Sequence, residues 1–179
     1  SQSLKRVLRH DIDVIMVGEV RDAETAHISV EAALTGHLVL SSVHAARAYT
    51  VPHRLLEMGV PPYALTGALR LIVAQRLLRK LQAKHQKPMS PKEVAQLPKE
   101  NIIPEADDSN TNTALQYYES VLVLAEFLKS HEALRKAILQ RQGLTRFREI
   151  QLATSSSLSL QAFKALEEGM TTWNEVRRV

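Results

Sequence analysis

Two polar side chains, Glu19 and His44, each follow a short apolar run. Glu19 comes after Val14–Gly18, and His44 comes after Leu38–Val43. A carboxylate at the end of a buried strand can hold Mg²⁺ through water and orient an attacking water molecule. An imidazole beside it can donate a hydrogen bond to a terminal phosphate oxygen. These residue types therefore indicate chemistry on a phosphate group.

Each of these residues also has an ordinary structural interpretation. Acidic residues commonly end strands, and a single histidine is more often a loop or partly buried residue than a phosphate ligand. Asp22 suits the N-cap of a helix. Arg54 and Glu57 lie three apart on a predicted helix and suit a surface ion pair. The residue types alone leave the structural and the chemical interpretation open.

The elements that must position Glu19 and His44 form a βαβ unit. The apolar runs 14–17 and 38–43 are typical of strands buried in a parallel sheet. Between them, apolar residues spaced three and four apart predict a helix that Asp22 caps and Gly36 ends. Because the carboxyl ends of parallel strands meet at one sheet edge, we expect Glu19 and His44 to lie there together.

The remaining chain is predicted to be mostly helical. One helix is expected over 48–58, ending at Gly59, and a longer one over 63–82. The solvated face of the longer helix would carry Arg70, Arg76, Arg79 and Lys80. Residues 83–114, with four prolines and a polar run, predict a loop or linker. Further elements are expected as a strand at Tyr117–Leu124, helices at 125–140 and 158–168, and a short turn capped by Thr171.

Composition narrows the possible classes of protein. The chain has 179 residues, of which 45% are hydrophobic and 23% charged, as in an ordinary globular domain. The chain has no cysteine, which excludes disulfides and thiolate metal sites. No apolar run approaches the roughly 18 residues of a membrane span. The net charge of +4, concentrated in residues 1–87, suits a nucleic-acid motor, but only 4% of residues are aromatic, which disfavours base stacking.

Several blocks in a fixed order resemble the secretion ATPases, the motor proteins of type II secretion, type IV pilus assembly and competence pili. Residues 8–22 resemble their Walker B block, and residues 35–45 resemble their His box. The other matching segments are 54–60, 74–79 and the tail 169–176.

This resemblance implies roles for individual residues. Glu19 corresponds to the Walker B acid that holds Mg²⁺ through water, and His44 corresponds to the His-box residue near the γ-phosphate. Both would be catalytic and, together with Arg21, would bind the nucleotide. Asp22 completes the same block, while His37 matches a second family histidine that precedes a strand.

Gln75 and Arg76 match a block that the resemblance associates with coupling between subunits. The resemblance also implies a ring-shaped, hexameric ATPase that uses ATP and Mg²⁺ at the cytoplasmic face of the membrane. Its partner would be an integral membrane platform protein, and no direct nucleic-acid contact is expected.

Two departures from the family pattern set limits on these expectations. No Gly-Lys pair occurs, so the Walker A loop is absent and the chain is expected to be a C-terminal part that is inactive alone. The four cysteines that often follow the 74–79 block are also absent, so no zinc is expected.

We therefore predict an α/β fold: the later strands of a RecA-like P-loop NTPase core, followed by a small, mostly helical C-terminal subdomain. Residues 1–82 would be the Walker B and His-box part, 83–114 the linker, and 115–179 the subdomain. The function expected is coupling of ATP hydrolysis to assembly of pilus or pseudopilus fibres for secretion, pilus formation or competence. The alternatives are a non-catalytic interaction module of the same fold and a nucleic-acid motor of the P-loop superfamily.

Overall fold

The structure, a computed structural model, describes residues 12–88, 90, 92 and 117–179. The chain divides into two compact units. The first draws on residues 1–74 and 127–155, and the second on residues 75–126 and 156–179. Each unit has its own apolar core. Among the described residues, no helix is both long enough and apolar enough to span a bilayer.

The first unit begins with the predicted βαβ unit. Strand β1 (Val14–Val17) pairs in parallel with β2 (Leu38–Ser41), with Val14 opposite Leu38 and Val17 opposite Ser41. Helix α1 (Ala23–Leu34) connects them. Asp22 caps its start by accepting a 2.8 Å hydrogen bond from the Thr25 N–H, and Gly36 follows its end with a φ of 105°. The local sequence signals were therefore sufficient to predict this element order.

Four more helices complete the described part of this unit. They are α2 (Thr50–Glu57), α3 (Pro62–Ala68), α4 (Glu132–Leu139) and α5 (Leu144–Thr154). Helix α3 packs against α1 and α4, while α2 packs against α5. The largest buried side chains of this core include Leu65, Leu134, Ile138 and Phe147 from these helices, together with Leu128.

Strands β3 (Leu71–Leu81) and β4 (Tyr118–Lys129) form the other sheet. Gln82 N–H donates to the Tyr117 carbonyl and Ser130 N–H donates to the Arg70 carbonyl, both at 2.9 Å, so the strands are antiparallel. The second unit adds a short 3₁₀ turn (Ala83–His85) and helices α6 (Leu158–Glu167) and α7 (Trp173–Val176). Its core comprises Leu78, Leu124, Leu158, Ala162, Leu166 and Val176.

The long helix predicted over 63–82 is wrong. Helix α3 ends at Ala68, and Leu69 already has an extended backbone. From Leu71 onward burial alternates, with Ile72 buried and Leu71 and Val73 exposed, which is the two-residue period of a strand. The apolar residues Leu69, Val73, Leu77 and Leu81 also recur at intervals of four, so the stretch matches a helical period as well as a strand period.

Three further boundaries differ from the predicted ones. The strand expected at Tyr117–Leu124 continues to Lys129, so the helix predicted at 125–140 begins only at Glu132. Helix α5 is not among the elements that the sequence predicts. The N-cap of α7 is Thr172, because the Thr171 hydroxyl donates a 2.8 Å hydrogen bond to the Arg79 carbonyl instead.

Two predicted surface features are also wrong. In the described residues Glu57 lies 3.4 Å from His53 Nδ1, and no Arg54–Glu57 ion pair is present. The expected solvated basic face does not exist as a helix face, because these residues lie on or beside β3. Two of them form ion pairs: Arg79 pairs with the buried Glu175 at 2.6 Å, and Lys80 pairs with Glu119 at 3.3 Å.

The predicted division at 82 and 114 does not coincide with the compact units, since the chain passes from one unit to the other within β3 and within β4. Most of the proposed linker 83–114 lies outside the described residues. The functional division into 1–82, 83–114 and 115–179 stays a prediction.

Candidate functional site

Glu19 and His44 meet at the carboxyl edge of the β1–β2 sheet. Glu19 lies two residues beyond Val17, and His44 lies three residues beyond Ser41. His44 Nε2 is 2.7 Å from Glu19 Oε1. The parallel register brings the two chain segments to the same edge, so the expected proximity is confirmed.

The two oxygens of the Glu19 carboxylate have different surroundings. Arg21 Nε donates a short hydrogen bond to Oε2. Oε1 is buried, and no donor among the described residues is aligned for a hydrogen bond with it, although His44 lies close. The Glu19 side chain is 17% exposed, whereas those of Arg21 and His44 are each 75% exposed. A sheltered carboxylate thus stands between two accessible, nitrogen-bearing side chains.

Ser42 supports the backbone that carries Glu19. Its hydroxyl donates a 2.6 Å hydrogen bond to the Gly18 carbonyl. Its own carbonyl accepts a 2.9 Å hydrogen bond from the Val20 N–H. Residue types alone do not identify Ser42, but the strand register could have indicated it, because Gly18 and Ser42 directly follow the paired residues Val17 and Ser41.

Asp22 and His37 make contacts that stabilise α1. The Thr25 N–H hydrogen bond lowers the pKa of the Asp22 carboxyl below its ordinary value. His37 Nδ1 lies 3.0 Å from the Ala32 carbonyl oxygen, which leads us to assign the proton to Nδ1 so that the ring donates at the end of α1. Neither side chain contacts Glu19 or His44 in the described residues, so both have the structural role that the residue types also allowed.

Gln75 and Arg76 lie on β3 in the second compact unit. Gln75 is exposed, and Arg76 is partly buried. Arg76 Nη1 donates a 2.9 Å hydrogen bond to the carbonyl of Gln75. Their side chains are thus displayed on a strand rather than on the helix predicted for them.

The chemistry available at the sheet edge follows from its donors and acceptors. Glu19 Oε1 can accept from a water or from water held by a hard cation, since oxygen ligands suit Mg²⁺. His44 and Arg21 can donate to an anion. No group of three or more His, Cys, Asp or Glu side chains able to hold a metal occurs in the part of the chain that the structure describes. A single carboxylate fits Mg²⁺, which usually keeps several waters and binds substrate phosphates.

Over nearly its whole length, the chain is similar to known proteins of secretion and pilus systems. The sequence profile of the family described as "Type II/IV secretion system protein" matches residues 1–178. Type II secretion system protein E of Xanthomonas campestris pv. campestris is 36% identical over 189 residues, covering 100% of this chain and 33% of that protein. The type IV pilus assembly ATPase PilB of Myxococcus xanthus is 34% identical over 185 residues, covering 97% of this chain and 32% of that protein.

The fold is shared with a solved motor structure. The crystal structure of the pilus retraction motor PilT with bound ADP aligns with a TM-score of 0.68 at 23% identity, covering 99% of this chain and 42% of that one. This likeness establishes a mixed α/β fold with a small helical C-terminal part. The chain spans about a third of the length of the curated relatives it matches.

Proposed function

Because the chain belongs to the type II/IV secretion system protein family, we propose that it forms part of an ATPase motor that drives assembly of pilus or pseudopilus fibres. The observation that carries the proposal is the 2.7 Å approach of His44 Nε2 to Glu19 Oε1 at the carboxyl edge of two parallel strands. Relatives of similar sequence are a type II secretion protein E and a pilus assembly ATPase.

Glu19 acts as the organiser of the attacking water in this proposal. Its carboxylate is sheltered, which strengthens its interactions with nearby charges, and Arg21 keeps one oxygen oriented. The other oxygen, Oε1, is buried without an aligned donor and so can accept from a water molecule. His44 is exposed beside it and donates to the anionic end of a nucleotide.

The residues present fit a Mg²⁺–nucleotide ligand. Glu19 would hold the cation through water, and Arg21 and His44 would face the phosphates. When bound, Mg²⁺ neutralises charge that develops on the transferred phosphoryl group. The chain's own contribution is to place one carboxylate and two donors at a single sheet edge.

The wider assembly belongs to the same proposal. Copies of the motor form a ring, with a hexamer as the expected stoichiometry, and Gln75 and Arg76 on β3 couple hydrolysis to movement between subunits. Residues 1–82 contribute Walker B and His-box groups, 83–114 form a linker, and 115–179 form the helical subdomain. The ring works at the cytoplasmic face of the membrane on an integral platform protein.

The test uses a protein that contains this chain together with a Walker A loop. Glu19→Gln keeps the shape of the side chain but removes its charge, so ATP turnover should fall by about 10²-fold or more while ATP binding stays nearly intact. His44→Ala removes one donor and should lower turnover by a smaller factor. Steady-state phosphate release and nucleotide binding by fluorescence measure the two effects separately.

His37→Ala is the matched control for His44→Ala, because His37 contacts only the end of α1 among the described residues. At a temperature where its fold is intact, its turnover should stay close to the wild-type rate. Equal turnover in the wild type and in Glu19→Gln would contradict the catalytic role of Glu19. Absence of ATP turnover in the wild-type protein itself would favour a non-catalytic interaction module instead.

A further inference from the structure

We propose that Ser42 is a positioning residue for hydrolysis, because its hydroxyl and carbonyl groups hold the backbone on both sides of Glu19. This inference rests on the proposed ATPase function and assigns a residue that supports the same site. Ser42 itself touches neither the carboxylate of Glu19 nor the ring of His44 in the described contacts. It acts through the backbone of Gly18 and Val20.

The need for such support arises where the sheet ends. The parallel ladder ends at Val17 opposite Ser41, so Glu19 lies beyond the last paired residue. A β-carbon at Gly18 would have nothing within 4 Å, so side-chain packing does not hold this position. Backbone beyond a ladder can adopt several conformations unless other hydrogen bonds fix it.

Ser42 provides two of those hydrogen bonds. The bond from its hydroxyl to the Gly18 carbonyl is 2.6 Å long, and the bond from the Val20 N–H to its carbonyl is 2.9 Å long. They lie immediately before and immediately after Glu19 in the chain. The buried Val20 side chain, 4% exposed, anchors the same segment in the core. The Glu19 backbone is therefore held from both sides by one residue of the neighbouring segment.

The same residue links Glu19 to His44. Ser42 lies two positions before His44, so the bonds that hold Gly18 and Val20 also set the distance between the two functional segments. A misplacement of about 1 Å in a catalytic group can cost on the order of 10²-fold in rate. Losing one of two supporting hydrogen bonds should therefore have a smaller, measurable effect on turnover.

The chain offers a closely matched control in Ser41. Its hydroxyl lies on the adjacent residue, is exposed, and donates only a 3.3 Å hydrogen bond to the Ser42 carbonyl. Ser41→Ala removes the same atom from the neighbouring position without removing the bond to Gly18. Ser42→Thr provides the opposite control, since threonine keeps a hydroxyl on the β-carbon.

The first experiment measures kcat and KM for ATP in a protein that contains this chain and a Walker A loop. We expect Ser42→Ala to lower kcat by about 10-fold with little change in KM, because position rather than binding is lost. Ser42→Thr should recover most of the wild-type kcat, and Ser41→Ala should match the wild type. An unchanged kcat in Ser42→Ala, or no recovery in Ser42→Thr, would overturn the proposal.

The second experiment separates this inference from the ATPase proposal. Amide hydrogen exchange by NMR in the 179-residue chain reports directly on the Val20 N–H. Ser42→Ala keeps the carbonyl that accepts from Val20 but removes the hydroxyl bond to Gly18, which holds the same segment. Exchange at Val20 should therefore be faster in Ser42→Ala but not in Ser42→Thr or Ser41→Ala. The Leu38 N–H, bonded at 2.8 Å to the Asp13 carbonyl at the opposite end of the sheet, should be unchanged in all variants.

The two experiments fail in different ways. A wild-type protein without ATP turnover would refute the ATPase function, while the Val20 exchange rates would still decide whether Ser42 holds this backbone. Unchanged Val20 exchange in Ser42→Ala would refute the positioning role even if the protein hydrolyses ATP.

Discussion

At the scale of single residues, the Asp22 carboxylate stabilises the start of helix α1. Its carboxylate accepts a 2.8 Å hydrogen bond from the Thr25 N–H at the start of α1. That bond favours the ionised form and lowers the pKa of Asp22 below its ordinary value of 3.8. Because the folded-state pKa is the lower one, the stabilisation is present above pH 3.8 and is lost as the pH falls through the folded-state value.

The corresponding prediction concerns Asp22→Ala. The variant should unfold at lower urea concentration than the wild type at pH 7, and the difference should be smaller at a second pH below 3.8, because the wild-type carboxylate is progressively protonated as the pH falls through its folded-state pKa. Asp13→Ala is the control, because the Asp13 carboxylate forms no hydrogen bond or ion pair with the residues that the structure describes. The backbone carbonyl of residue 13, which accepts from the Leu38 N–H, remains in the variant. A difference that is the same at both pH values would mean that the charge of Asp22 does not contribute.

Between elements, an ion pair attaches helix α7 to strand β3. Glu175, 2% exposed, accepts hydrogen bonds from the Arg79 backbone N–H at 3.0 Å, from Nε at 2.9 Å and from Nη2 at 2.6 Å. Arg178 adds a fourth contact at 3.2 Å. The Arg79 guanidinium also lies 4.6 Å from the centre of the Tyr118 ring. These donors compensate for the free-energy cost of burying the Glu175 carboxylate away from water.

We therefore predict different effects from two Glu→Gln changes that affect pairs on the same strand. Glu175→Gln leaves Arg79 without its buried charge partner and should lower the free energy of unfolding by about 2–4 kcal/mol. Glu119→Gln affects the more exposed Lys80 pair and should cost about 0–1 kcal/mol. Urea denaturation of both variants measures these values, and a Glu175→Gln effect no larger than that of Glu119→Gln would contradict the prediction.

For the molecule as a whole, the missing phosphate loop determines what the chain can do alone. The sequence contains no Gly-x-x-x-x-Gly-Lys segment, the motif whose backbone amides and lysine hold the phosphates in P-loop NTPases. The purified 179-residue chain should therefore show no ATP turnover above that of its own Glu19→Gln variant. Phosphate release with and without Mg²⁺ checks this, and Mg²⁺-dependent turnover that Glu19→Gln abolishes would refute it.

Much of the β1–α1–β2 unit and its site could be predicted from local sequence. Apolar runs, the Asp22 cap and Gly36 each act within a few residues, so they determine the same local structure in any context that buries the sheet. Once two parallel strands are predicted, the meeting of Glu19 and His44 at one edge follows from topology. The assignment of this edge to ATP hydrolysis depended on the resemblance of ordered sequence blocks.

The helix predicted over 63–82 failed because its local pattern was ambiguous. Leucine, isoleucine and valine at these positions satisfy a helical period, and strand propensity depends strongly on context. Residues 71–81 are a strand because β4, which lies beyond the entire 83–114 segment, pairs with them. The strand signal was visible in the first part of β4, but nothing local to residues 71–81 shows that β4 pairs with them.

A similar difference applies to the site: its candidate residues could be named from the sequence, whereas the groups that hold them could not. Residue types and the predicted strand topology made Glu19 and His44 candidates, and the family resemblance added Arg21 and the proposed roles. The supporting role of Ser42 and the pairing of Arg79 with Glu175 depend on which backbone groups face each other across segments. Only the folded chain decides this, because a hydrogen bond forms where register and packing bring donor and acceptor within about 3 Å.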